Sequence, residues 1–187
     1  MHRLFVALRP PREIRSRLIS AMGGIQGARW QDDGQLHLTL RFIGEVDGHA
    51  FDEIAIALSH IRHPPVTFEI AGLGTFDKKG RVHTLWAGIR PADSVAELHR
   101  KVDRAIIRLG FEAEGRAYKP HVTLARFGSQ GGDVTGFAAL HAGLSSAAFT
   151  MESFGLYESR LGSDGGPSYE CMAEYPLISS ALPSSPS

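Results

Sequence analysis

The sequence predicts an α+β fold that is bilobal: two pseudo-twofold-related lobes, each an antiparallel-rich sheet covered by helices. Three observations lead there. Short apolar runs of period two alternate with amphipathic helical stretches. Two of those runs are nearly identical, HLTLRF at 37–42 and HVTLARF at 121–127. The flanking segments repeat at almost the same spacing. FVALRPPREIRSRL (5–18) resembles LWAGIRPADSVAEL (85–98) at an offset of 81 between Arg9-Pro10 and Arg90-Pro91. The two His are offset by 84, and TFEIAGLG (67–74) lies 83 before TMESFGLY (150–157).

Each element follows from its local pattern. Residues 3–8 read as a strand. Residues 11–22 read as a helix, with Pro11 suited to a first turn and Ile14, Leu18 and Ile19 on one face. Residues 36–43 form the first His strand. Over 49–61, Phe51, Ile54, Ala55 and Leu58 give a helical stripe, which Pro64-Pro65 terminates. Residues 66–73 and 83–89 are strands joined by a turn around DKKG. The clearest helix spans 93–109, with Val95, Leu98, Val102, Ala105, Ile106 and Leu109 on one face and Gly110 as its stop. Residues 120–126 form the second His strand, 134–143 a short helix, and 148–157 and 168–176 two strands around a loop holding GSDGG.

A helix layer on one face of each sheet leaves the other face open. Two repeats, roughly 3–74 and 83–157 with a final strand at 168–176, can set those open faces together around a central cleft. Residues 1–178 then make a single two-lobed domain, and the Ser/Pro-rich end, 179–187, is expected to be disordered.

Composition limits the function classes. The 187 residues carry 20 Lys and Arg against 20 Asp and Glu, so no global field draws the chain to nucleic acid or membrane, and phosphate recognition has to be local. Cys171 is the one cysteine; it is expected to be a small buried residue in a reducing compartment. The early apolar run stops at Arg9-Pro10-Pro11-Arg12, too short for a signal segment, and nothing approaches a membrane span. A soluble, cytoplasmic protein is expected, and nothing demands a partner copy, so a monomer is too. There is no P-loop, no dinucleotide Gly pattern and no G-x-S-x-G, and no cofactor is expected. His60 and His63 have H-x-x-H spacing but read as a solvated helix end, so no metal site is assigned. His99 and His141 read as helix-surface residues, and Lys78, Lys79 and Arg81 as a solvated hairpin turn.

The chemistry lies in the two His strands. Alternate side chains on a strand share a face. His37 and Thr39 thus point one way and Leu38, Leu40 and Phe42 the other; His121 and Thr123 oppose Val122 and Leu124 in the same manner. With the apolar sets in the core, both His–Thr pairs face the central cleft. Cleavage by water needs a base for the water proton and an acid for the leaving oxygen, and two imidazoles can supply both near neutral pH. The Thr hydroxyls can donate to phosphoryl oxygens. Spacing does not say which His is acid and which is base.

Taken together, RLFVALRPP, LHLTLRFIGEV, LWAGI, YKPHVTLARF, LYESRLGSDGGPSYE and the closing YPL resemble the two-histidine (2H) phosphoesterase superfamily over residues 3–178. Within it they look like the RNA 2′,3′-cyclic phosphodiesterase branch, formerly the 2′-5′ RNA ligase family. The resemblance implies metal-independent hydrolysis of a 2′,3′-cyclic phosphate on RNA or nucleotide ends to a 2′-phosphate. It implies that His37 is the proton donor, His121 the proton acceptor, and Thr39 and Thr123 the phosphate ligands. Arg126 matches a basic residue that follows the second motif. Regular alternation places Arg126 opposite His121 and places Arg41 beside His37, so only a bulge or the strand end would turn Arg126 inward. Phe42, Phe76 and Tyr118 are candidates for stacking on a terminal base, with core packing the competing role for Phe42. Two further readings stay open: a non-catalytic RNA-end binding module, and 2′-5′ ligation as a side activity of the same acid–base pair.

Overall fold

The β-strands outnumber the helices and set the architecture of this computed structural model, which describes residues 1–162 and 166–179. In chain order the elements are β1 (His2–Leu8), α1 (Arg12–Ala21), β2 (Arg29–Trp30), β3 (Leu38–Val46), α2 (Gly48–Ser59), β4 (Val66–Lys78), β5 (Arg81–Arg90), α3 (Asp93–Arg108), β6 (His121–Arg126), α4 (Thr135–Leu140), β7 (Phe149–Met151), β8 (Ser153–Leu161) and β9 (Pro167–Pro176). Most of the GSDGG loop and the end expected to be disordered lie outside the described residues.

The strands form one curled antiparallel sheet in the order β7-β4-β5-β6-β3-β1-β8-β9, with β2 added beside β6. The two His strands, β3 and β6, are its central neighbours, joined at Leu38 and Val122. The order is symmetric about that seam: β1 and β5 flank it, then β8 and β4. This corrects the expected face-to-face pairing of two sheets from repeats 3–74 and 83–157. The sheet is continuous, and the outer strands are exchanged between repeats: β4 pairs with β5, and β8 pairs with β1. Periodicity tells which residues share a face but not which edges pair, so this exchange left no trace in the alternation.

Helix α3 carries the stripe its sequence predicts. Val95, Leu98, Val102 and Ile106 are buried, and α3 packs on β3 and β4. Burying each such side chain contributes about 1.5–3 kcal/mol. In α2 the Asp47 side chain accepts from the Ala50 amide at 2.8 Å, which starts the helix at Gly48; Ile54 and Leu58 face inward. In α1 Ile14 and Leu18 are buried, but Ile19 is 39% exposed and does not share their role.

The predicted DKKG turn is a two-residue connection between β4 and β5, with both Lys79 (φ 52°) and Gly80 (φ 73°) left-handed, the geometry that matches strand twist. The strand expected at 148–157 breaks into β7 and β8 at Glu152, whose carbonyl accepts from the Leu177 amide. Strand β2 was not anticipated, since two residues are too few to show a period. Cys171 is exposed on β9, not buried as expected, because the edge strand leaves that side chain in solvent. Among the described residues no helix is long and apolar enough to cross a membrane.

Candidate active site

Both His strands depart from regular alternation at the same place. Opposite β3, Ala7 pairs with Thr39 and Val6 with Arg41, leaving Leu40 as an extra residue. Opposite β6, Trp86 pairs with Thr123 and Leu85 with Ala125, leaving Leu124 as the extra residue. A bulge puts two successive side chains on one side and reverses the parity beyond it. Leu40 and Arg41 are accordingly both buried, as are Leu124 and Ala125.

The residues after the bulges then turn to the His side. Arg126 is exposed there, so the bulge does what regular alternation would have forbidden. Phe42 occupies the corresponding position in β3, 43% exposed, which corrects its placement on the apolar face. The same parity change overturns the expectation for Arg41. It is 4% exposed and faces α3, with Nη1 3.3 Å from Asp103 and 3.6 Å from Glu114.

The cleft has two hollows that share Thr39, Phe42 and Arg126. The larger, about 1010 Å³, takes in His121, Thr123 and Phe76. The smaller, about 540 Å³, takes in His37, Phe5 and Tyr169. The antiparallel pairing of Leu38 with Val122 sets His37 and His121 as diagonal neighbours across the seam. In an ideal antiparallel ladder such neighbours are roughly 7–8 Å apart, leaving space for one tetrahedral phosphate between the rings.

The two imidazoles are held alike. His37 Nδ1 lies 2.6 Å from the Gln35 carbonyl, and His121 Nδ1 lies 2.6 Å from the Lys119 carbonyl. A carbonyl only accepts, so each Nδ1 carries the proton and each Nε2 is left for the cleft. Phe5 (4.8 Å) and the edge-on Tyr169 (5.1 Å) pack on His37. Phe76 (4.8 Å, edge-on) and Trp86 (5.7 Å) pack on His121.

Burial among these rings lowers the His37 pKa to about 4; the Gln35 carbonyl opposes the shift, and the charges of Arg126 and His121 add to it. Burial lowers the His121 pKa as well, again with Arg126 contributing. One cation thus acts on both rings. The Arg126 guanidinium has no hydrogen bond or ion pair among the described residues.

Tyr118 lines the larger hollow, but its ring lies flat on His99 at 3.8 Å and 6°, and its hydroxyl donates to the Thr39 carbonyl at 2.9 Å. One face is therefore covered by His99, and any base stacked on Tyr118 has only the other face. Burial raises its phenol pKa. His99 is not a surface residue either: its Nδ1 is 2.6 Å from the Leu40 carbonyl. His63, expected in solvent, is 2% exposed, with Nδ1 on the Pro64 carbonyl. Among the described residues no group of three or more His, Cys, Asp or Glu could hold a metal ion.

The family model described as LigT like Phosphoesterase matches residues 8–86 and again residues 89–168. The chain belongs to that family. The two matched stretches follow the repeat that the paired motifs outlined. A protein of Methanocaldococcus jannaschii named RNA 2′,3′-cyclic phosphodiesterase is 27% identical over 92% of this chain and 99% of its own length. One of Archaeoglobus fulgidus with the same name is 26% identical over 90% of this chain and 96% of its own. Against the Geobacillus stearothermophilus relative of that name, 28% identical over 80% of this chain, the chain spans only about half of the length (48%). Among solved structures, Escherichia coli LigT complexed with 3′-AMP superposes with a TM-score of 0.79 at 25% identity, covering 94% of this chain and 98% of that one.

The sequence reading missed the ring walls and the carbonyls that orient the imidazoles. A signal existed for both. Phe5 and Trp86 stand at the same offset of 81 as the Arg-Pro pairs, and Gln35 and Lys119 each sit two residues before a motif His.

Proposed function

We propose that this protein is a metal-independent hydrolase that opens RNA or nucleotide 2′,3′-cyclic phosphate ends to 2′-phosphates. The observation that carries the reading is the matched pair of imidazoles, each with Nδ1 tied to a carbonyl and Nε2 left for one cleft. The names of the relatives support the substrate class. The molecule is read as two lobes related by a pseudo-twofold axis through the β3–β6 seam, so that each lobe brings one His–Thr pair to the same phosphate.

His121 Nε2 takes a proton from water as its oxygen attacks phosphorus. The P–O3′ bond opposite breaks, and His37 Nε2–H gives its proton to the departing O3′. The product carries a 2′-phosphate and a free 3′-hydroxyl, and solvent exchange resets both rings. The Thr39 and Thr123 hydroxyls donate to the non-bridging oxygens, and Arg126 meets the charge that builds on them. Burial favours the neutral form of both rings, which suits the base but not the acid. The phosphodiester anion corrects this: its charge raises the proton affinity of both rings, most strongly where screening is least, at His37.

The test is to incubate the protein with a 2′,3′-cyclic nucleotide in EDTA and follow the phosphorus signal. A 2′-phosphomonoester is expected; an unchanged cyclic phosphate, or a 3′-phosphate, would reject the reading. A non-catalytic end-binding role is disfavoured by two complete proton-transfer groups. Ligation is the second reading, favoured by one feature. The hollow on the His121 side, about 1010 Å³, far exceeds the ~30 Å³ share of a water molecule, so an RNA 5′-hydroxyl could take the place of water.

A further inference from the structure

Arg41 poses the sharpest unexplained fact in the fold. It sits at the bulge of β3, where the matching position in β6 holds Ala125, fully buried and needing no partner. A buried guanidinium is costly unless it is paired, and apolar residues of similar size are often as stable. Two of its three contacts lead to one segment, and the third anchors it to α3. Nη2 donates to the Glu112 carbonyl, and Nη1 approaches Asp103 of α3 and Glu114. Residues 111–119 run from the end of α3 to the start of β6 and form a wall of the larger hollow through Glu114, Arg116, Tyr118 and Lys119.

The same bulge meets that segment a second time. His99 of α3 bonds the Leu40 carbonyl and stacks on Tyr118, whose hydroxyl bonds the Thr39 carbonyl. The segment ends at Lys119, whose carbonyl orients the His121 ring. Thr39, in one motif, is thus linked through Tyr118 and two further residues to His121 in the other. Among the described residues Leu38 and Val122 are the one ladder pair between β3 and β6.

We propose that Arg41, His99 and Tyr118 are positioning residues, which clamp segment 111–119 to the β3 bulge and so fix His121 relative to Thr39. The proposal rests on the acid–base reading of the cleft. It assigns no chemistry to the three side chains themselves, which act through Thr39 and His121. A displacement of about 1 Å in a reacting group can cost on the order of 10²-fold in rate.

The test uses Tyr118→Phe, which deletes one hydroxyl and keeps the stack on His99, and the double variant Arg41→Met/Asp103→Leu. The double variant replaces the buried pair with apolar side chains, so that it folds even if Arg41→Met alone does not. For each, kcat and KM on a 2′,3′-cyclic nucleotide are measured with amide hydrogen exchange across 111–119. Expected is a fall in kcat of about tenfold or more, KM within about threefold, and faster exchange confined to 111–119. His99→Gln, which can keep the bond to Leu40, is expected to retain more activity than His99→Leu. Folded variants with wild-type kcat and unchanged exchange overturn the proposal. So does a uniform rise in exchange over the whole sheet, which marks a merely structural role. If the wild-type protein does not hydrolyse the cyclic phosphate, the functional reading fails instead, and the exchange pattern still decides whether the clamp exists.

Discussion

Leu38 and Val122 pair across the middle of the sheet, and that antiparallel register makes His37 and His121 diagonal neighbours. Both side chains of the pair are fully buried. The apolar pairing beneath the seam therefore sets the relation between the polar groups above it.

Removal of either imidazole should stop turnover without unfolding the chain. His37→Ala and His121→Ala are each predicted to lower kcat by about 10²–10⁴-fold, with circular dichroism and urea midpoints near wild type. The double variant should lose little more than the worse single one, because the two groups serve one transition state.

Arg126 and Arg41 separate function from structure. Arg126→Ala should weaken inhibition by inorganic phosphate by roughly tenfold or more and leave the urea midpoint unchanged, since the side chain has no hydrogen bond or ion pair among the described residues. Arg126→Lys should recover only part of the loss, as it lacks the planar fork. Arg41→Ala should do the reverse in the first instance, destabilising the fold by about 3–5 kcal/mol by leaving Asp103 without its cation.

Stability should fall in acid through His37. Its folded pKa is about 4 against an ordinary 6.5, so the unfolded chain binds the proton more readily between those values. Stability therefore rises with pH across that window, is complete above 6.5 and is lost as pH falls towards about 4. His121, lowered in the same direction, adds to the trend. Urea midpoints at pH 7.5 and 4.5 should differ less in His37→Gln than in wild type.

The same shifts shape the rate profile. kcat/KM reports the free enzyme, so both limbs of its bell should lie below pH 6.5; kcat reports the complex, where bound phosphate moves them upward. A flat kcat/KM between pH 4 and 8 would contradict two-histidine acid–base chemistry.

Gly74 should be intolerant of a side chain. A Cβ there would stand 2.1 Å from the Trp86 ring, and Trp86 packs against His121. Gly74→Ala is predicted to lower kcat at least severalfold and to reduce stability by about 1–3 kcal/mol, read from kinetics and urea melts.

The longer strands, the helices and the four motif side chains were legible in the sequence, because each rests on a local period that packing respects; β2 and the break between β7 and β8 were not. Arg41, Phe42 and Arg126 were read differently because period-two reasoning assumes an unbroken strand. One extra residue at Leu40 and one at Leu124 reverse the sense of everything that follows. Regular alternation places Arg126 wrongly, and the resemblance alone drew it towards the phosphate. His99 escaped because its partner, the Leu40 carbonyl, lies 59 residues away and belongs to the backbone, which no side-chain pattern reveals. The exchange of β4 and β8 between repeats is likewise a choice among edges that alternate identically.

The most direct test is a crystal structure of the protein with the 2′-phosphorylated nucleotide bound. Predicted are phosphate oxygens within hydrogen-bond reach, about 2.6–3.2 Å, of both His37 Nε2 and His121 Nε2, with Thr39 and Thr123 on the remaining oxygens. A phosphate held by one ring alone, or seated outside the space between the two, would contradict it.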